Sequence, residues 1–349
     1  VPYSIVNKED GRIQISPGIT KAELKEIAAL NNLSVVQFAE ALSAKELDEL
    51  REYVFTQRPN TKLRVWGHYS KGCDLSILKD FSFLKGLTVD CLLEAKNVEY
   101  ITHLTNLEQL SVGIYNLTSF DFINEINADL KKMSIWRTFS KKPSIQFLSR
   151  FPRLESLYLE GHTNGITEIG KLHDLKKIVL RSITVPNLDF LQHLKHLWSV
   201  DIKLGGIKNF SALAKLPDLK YLELWQVNKL ADISFISELK ALQNLFIQSL
   251  PNVETLPNFE KNVKLRRIYL ESLKGLKDSA SLKSAPALEE FCYAVAQNQH
   301  PQNFIPLLQN QNVKKVLVGF GSKAKSNLFN EMVQNAGKEK YKHQKFIYN

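Results

Sequence analysis

At 349 residues, with 44% hydrophobic and 23% charged side chains, the chain is too apolar to be disordered and long enough for a large core or an extended stack. No run of eighteen apolar residues occurs, which excludes a membrane-spanning helix, and three widely separated cysteines, Cys73, Cys91 and Cys292, do not make a disulfide framework. The formal net charge of +10 taken alone points to an anionic partner such as nucleic acid, so the placement of the lysines and arginines decides what it means.

The opening alternates as a hairpin: Tyr3 to Val6, a polar turn from Asn7 to Gly11, then Arg12 to Ser16, suited to capping an edge. Its first ten residues carry neither a basic n-region nor an apolar h-region, and a cytoplasmic location is expected. The missing initiator Met leaves a removed leader open. Thr20 to Leu30 reads as a helix, with Thr20 and Glu23 in capping-box spacing and Asn31-Asn32 ending it. Leu33 to Phe38 follows the spacing L-x-x-L-x-L. A second helix is expected from Ser43 to Thr56, with Ser43 and Glu46 as its capping box and Leu47, Leu50 and Val54 on one face. Leu63-Arg64-Val65 is the next strand.

From Leu84 the leucine spacing returns at Leu107, Leu130, Leu154, Leu175, Leu197, Leu219, Leu242, Leu265, Leu288 and Val313, in steps of 21 to 25 residues. The unit beginning at Leu219 shows its meaning. Leu222 and Leu224 share one face of a short strand, and Tyr221, Glu223 and Trp225 share the other. Leu230, Ile233, Ile236 and Leu239 then recur every third residue, which suits a tight, helix-like return path. One unit cannot bury these side chains alone, so the units must stack. The expected fold is therefore a single curved α/β solenoid with an unbroken parallel sheet on its concave side. Leu110, Met133, Leu157, Ile178, Val200, Leu222, Leu245 and Ile268 should form one buried row. Residues 1–60 would hold an N-terminal cap and helix-containing first repeats, 61–320 the solenoid, and 321–349 a C-terminal cap. That last cap would comprise a helix from about Ser326 to Asn335 and the polar tail Lys338 to Lys345.

The segments Asp232 to Leu239, Asn187 to Leu194 and Asn209 to Leu216 resemble the leucine-rich repeat family, in particular its short-repeat bacterial, internalin-like type. The resemblance covers roughly residues 60–320 and implies a horseshoe solenoid. It implies no particular function, because such folds host many partners. The family's usual asparagine, nine residues into the unit, is replaced here by Leu92, Tyr115, Thr138, His162, Ile183, Gly205 and Val227. Asn116 and Asn228 stand one residue later, where they could serve instead.

Reactive chemistry is sparse. His193 and His196 are three apart, yet no Cys, Asp or Glu set completes a metal site, and they read as surface on the return path. Gly319 to Lys323 lies between a strand and a helix but lacks the spacing of a phosphate loop. Cys292 has Glu290 nearby and no histidine in a matching row. Once repeats and caps are subtracted, no segment of domain size is left for a catalytic module. No catalytic residue, metal or cofactor is expected.

The informative positions are the third, fifth and seventh of each unit, which face away from the core. Two aromatic clusters, Trp136 with Tyr158 and Trp225 with Phe246 and Tyr269, are expected to flank a charged centre of Arg181, Asp201, Lys203 and Glu223, with Tyr221 beside it. Exposed aromatics interleaved with charge are what protein interfaces enrich. Along these rows the acids Asp90, Glu160, Asp201, Glu223, Glu271 and Glu290 balance the bases Lys132, Lys177, Arg181, Lys203, Arg267 and Lys315. Surplus lysines fall on return paths and the tail, against a nucleic-acid partner. The expected function is a non-catalytic scaffold binding a protein or peptide on its concave face. A surface adhesin and an enzyme-associated regulatory subunit are the alternatives.

Overall fold

The alternation of aliphatic and polar residues produces one short strand per turn, and successive strands lie side by side. The computed structural model describes residues 2–67 and 72–349, and of Cys91 and Leu92 only the backbone. Two compact units result, Val1–Leu172 and His173–Asn349. In the first, the strands Tyr3–Asn7, Arg12–Ile15, Val35–Phe38, Lys62–Trp66, Gly86–Leu92, Gln109–Ile114, Lys132–Ile135 and Ser156–Glu160 follow one another in sheet order. The opening pair is the antiparallel hairpin the sequence suggests, with Tyr3 opposite Ile15, and the later pairs are parallel. In the second unit, Lys177–Arg181, Ser199–Lys203, Tyr221–Trp225, Asn244–Gln248, Arg267–Glu271, Glu290–Ala294, Lys315–Val318 and Glu339–Lys340 form a parallel series.

The expected aliphatic row is buried. Leu87, Leu110, Met133 and Leu157 are cross-strand partners in turn, as are Ile178, Val200, Leu222, Leu245 and Ile268. None is more than 2% exposed. The chain then returns through short 3₁₀ turns, among them Asp121–Glu125, Gln146–Arg150, Ser211–Lys215 and Ser234–Glu238. Because a 3₁₀ helix repeats every three residues, Ile233, Ile236 and Leu239 all reach the core. A polar side chain opens many of these turns by accepting an N–H two residues on. Asp232 takes Ser234 at 2.8 Å, Asn209 takes Ser211 at 2.8 Å, and Asn187 takes Asp189 at 3.2 Å.

The side chains of Asn116 and Asn228 are exposed, so among the described residues no buried asparagine row forms at the tenth position. At the ninth, His162 is buried, with Nε2 3.3 Å from the Trp136 carbonyl, and Thr138 is buried and donates to the Ser140 carbonyl. Buried amides serve the return path instead. Asn262 donates to the carbonyls of Ile236 and Leu239 at 2.9 and 3.0 Å, and Asn310 to those of Leu282 and Ala285 at 2.8 and 2.9 Å. These carbonyls sit where a 3₁₀ turn ends, and at Ile236 and Leu239 the amide is a second donor beside the N–H groups of Leu239 and Leu242, each at 3.1 Å.

Both N-terminal capping boxes form, at Thr20/Glu23 and Ser43/Glu46. The expected second helix is split: Ala44–Leu50 is α-helical, and Arg51–Phe55 widens into a π turn in which Val54 and Phe55 are both buried. The C-terminal helix runs Lys323–Asn335, earlier than expected, because Ser322 accepts the Lys325 N–H and caps it. Its Phe329 ring packs 5.8 Å from Phe304 and 5.4 Å from Phe320. No helix among the described residues is long and apolar enough to cross a membrane.

Leu222 is fully buried. Leu222→Ala is expected to cost about 2–5 kcal/mol in urea melts. A loss under about 0.5 kcal/mol would place it at the surface and break the register.

Candidate functional site

Strict parallel register sorts the outward side chains into columns. In the second unit, Asp201, Glu223, Phe246, Tyr269 and Cys292 are successive partners, and Arg181, Lys203, Trp225, Gln248 and Glu271 form the neighbouring column. The Lys203 ammonium lies 3.0 Å from Glu223 and 3.5 Å from Asp201. The Tyr221 hydroxyl donates to Glu223 at 2.9 Å. Burial, followed by the Glu223 charge, raises the Asp201 carboxyl to about 7, with Lys203 opposing. The same burial and acids push the Tyr221 phenol far up.

Aromatic groups flank this cluster, differently from the expected grouping. Phe246 and Tyr269 meet edge to face at 5.0 Å. Trp225 falls in the other column, opposite Gln248, and carries cations over its ring: Arg181 at 5.4 Å and Lys203 at 6.0 Å. In the first unit Trp136 and Tyr158 pair at 4.6 Å, and the Trp136 indole N–H donates to Ser111 at 3.0 Å. Trp136 is the most open of the candidates, 37% exposed, whereas Glu223 is only 8% exposed.

The C-terminal tail is not merely a polar cap. The Lys338 ammonium does cap the carbonyls of Asn310 and Val313, at 2.7 and 2.8 Å. Beyond it, Glu339–Lys340 adds a strand beside Lys315–Val318 and Tyr341 is buried. Residues 344–349 then cross the second- and third-position side chains of the second unit. The tail's Tyr341 and His343, together with Phe246, Tyr269, Arg267 and Glu271, border an open depression of about 300 Å³. Sequence reasoning missed this course. Its one signal was the aromatic pair Phe346 and Tyr348, two residues apart in a polar stretch.

Burial raises the Cys73 and Cys292 thiols to about 11, so neither is a thiolate at neutral pH. His193 and His196 are exposed, and the described residues contain no cluster of metal-ligating side chains. Among the acids of the face, Asp90 takes a bidentate contact from Arg64 at 2.9 and 3.1 Å, and Glu290 meets Arg267 at 2.5 Å and Lys315 at 3.3 Å.

No protein-family model matches the chain, and no curated protein matches its sequence. Solved structures do. An internalin (inlF) from Listeria monocytogenes superposes with a TM-score of 0.57 at 19% identity, over 86% of this chain and 83% of that one. The chain has the leucine-rich repeat fold. The functional domain of InlJ from Listeria monocytogenes gives 0.49 at 14% identity, over 85% of this chain and 59% of that one. A Leptospira interrogans leucine-rich repeat protein gives 0.40 at 15%, over 91% and 98%. At these identities the likeness is one of fold.

The raised Asp201 makes stability pH-dependent on this leucine-rich repeat sheet. Its proton is held more tightly in the folded than in the unfolded chain, so its contribution is full below about pH 4 and is lost as pH rises through about 7. Asp201→Asn is therefore expected to gain roughly 1–3 kcal/mol relative to wild type between pH 5 and pH 8. Parallel urea melts at the two pH values check this, and an unchanged difference would show that Asp201 titrates normally.

Proposed function

We propose that the chain is a non-catalytic scaffold that binds a protein or peptide on the outward face of its parallel sheet. The observation that carries this reading is Trp225 lying under Arg181 and Lys203 beside the Phe246–Tyr269 pair. Tryptophan, tyrosine and arginine side chains already ordered by their neighbours give up little entropy when a partner covers them, and they dominate binding energy at interfaces. Asp201, Lys203 and Glu223 add charges of both signs, which select a partner by complementarity. The face is open, as a macromolecular partner needs, whereas a small ligand needs enclosure. Trp136 and Tyr158 supply a further aromatic contact in the first unit.

The pairing of Asp90, Glu290, Asp201 and Glu223 with bases on the same face supports a protein partner over nucleic acid. A surface for phosphates presents uncompensated lysines and arginines.

The reading is tested with a partner recovered on the immobilised full chain and then purified. Truncating Trp225 or Tyr269 to alanine is expected to weaken binding by about 2 kcal/mol, roughly 30-fold in Kd, with little change in melting temperature. A partner that binds both variants as tightly as wild type would reduce these aromatics to sheet-stabilising residues. In the same assay, mixed-sequence DNA and RNA are expected to show no submicromolar binding at physiological salt. Tight binding that falls steeply with added salt would reverse the choice of partner class.

A further inference from the structure

Residues 344–349 lie across the starts of the second unit's strands, and the contacts follow in order. The Gln344 carbonyl accepts from Arg267 at 3.1 Å, and the Ile347 carbonyl from Arg266 at 2.5 Å. Gln243 receives the Asn349 main chain as a strand would, accepting its N–H at 3.1 Å and donating to its oxygen at 3.1 Å, and Lys220 donates to that oxygen at 2.7 Å. Between these bonds Phe346 sits under the Arg266 and Arg267 guanidiniums at 4.7 and 5.0 Å, and Tyr348 packs 5.0 Å from Trp198.

This geometry has the form of peptide recognition. An extended chain advances about 3.3 Å per residue and parallel strands are about 4.8 Å apart, so six residues reach across three to four strands. Side chains of the strip bind main-chain atoms, which any peptide offers. Phe346 and Tyr348, alternating with the outward Ile347, supply the selectivity. Ile347 is 75% exposed and Phe346 and Tyr348 are half-buried, so the segment lies on the sheet without being part of its core.

We propose that the strip formed by Trp198, Lys220, Gln243, Arg266 and Arg267 is a peptide-binding site, that residues 344–349 occupy it as an internal ligand, and that its external ligands are extended peptides with aromatic side chains two residues apart. The proposal rests on the reading of this face as a recognition surface, and it concerns the strip beside Trp225, not Trp225 itself.

The probe is a fluorescently labelled synthetic peptide of residues 341–349, titrated by anisotropy into the full chain and into the full chain carrying Phe346→Ala and Tyr348→Ala. The double variant should bind it at least ten-fold more tightly than wild type, and a peptide with both aromatics replaced by alanine should not bind. Adding Trp198→Ala to the double variant should weaken binding at least ten-fold, and adding Trp225→Ala should leave it unchanged. Equal binding by wild type and the double variant, or no binding by either, overturns the proposal. The Trp225→Ala comparison keeps that failure apart from failure of the proposed function, which is read with a protein partner. Should the double variant not fold, hydrogen exchange of the wild-type chain decides. Excess peptide, but not a scrambled one, should speed exchange at residues 345–349, and no acceleration overturns the proposal.

Discussion

Everything on the outward face depends on the inward one. Most strands carry two apolar side chains that must be buried against the strands before and after, while their N–H and carbonyl groups bond to those same neighbours. A slip of one residue would turn Leu222 and Leu224 to solvent and Glu223 into the core, so the register is fixed by burial and hydrogen bonding together. With the register fixed, outward side chains one turn apart in sequence become neighbours about 4.8 Å apart.

That proximity explains how a chain of net charge +10 has a sheet face of nearly balanced charge. Cross-strand neighbours neutralise one another, as Lys203 does with Glu223 and Arg267 with Glu290. Away from the face the same one-turn spacing pairs Lys131 with Glu108 at 2.9 Å and Lys277 with Glu254 at 2.8 Å. Those exposed pairs add little stability each. The half-buried cluster is different, because Asp201 and Glu223 are held side by side under restricted solvation. Its charge state follows pH through the raised Asp201 carboxyl.

A stack also needs ends, since a bare edge strand invites pairing with other chains. In the first unit an antiparallel hairpin forms the edge, and in the second the two-residue strand Glu339–Lys340 does, after the helix Lys323–Asn335. The chain after Lys340 returns over the second unit's strands and rests on their second- and third-position side chains, making it a neighbour of the proposed recognition surface.

The sequence by itself determined the solenoid, its buried row and the identity of the outward columns, because a period of 21 to 25 residues and a two-residue alternation are local patterns that burial reads directly. It also carried both capping boxes and the polar residues that open the returns, whose hydrogen bonds span two or three residues. Tertiary structure alone decided the rest. Ser182, Leu204, Gln226, Ser249, Ser272 and Val295 follow the strands with φ between 49° and 55°, a conformation that costs about 1–2 kcal/mol per residue and that these residue types do not announce. It is offset by bonds to the next turn, such as Leu204 N–H to the Trp225 carbonyl at 2.9 Å. Packing settled which neighbours the outward side chains meet: Trp225 lies under Arg181 and Lys203, and Phe246 meets Tyr269 edge to face. The tail found Trp198, Gln243 and Arg266 across gaps of roughly eighty to one hundred and fifty residues, a pairing fixed by where the stack returns it and not by any local pattern.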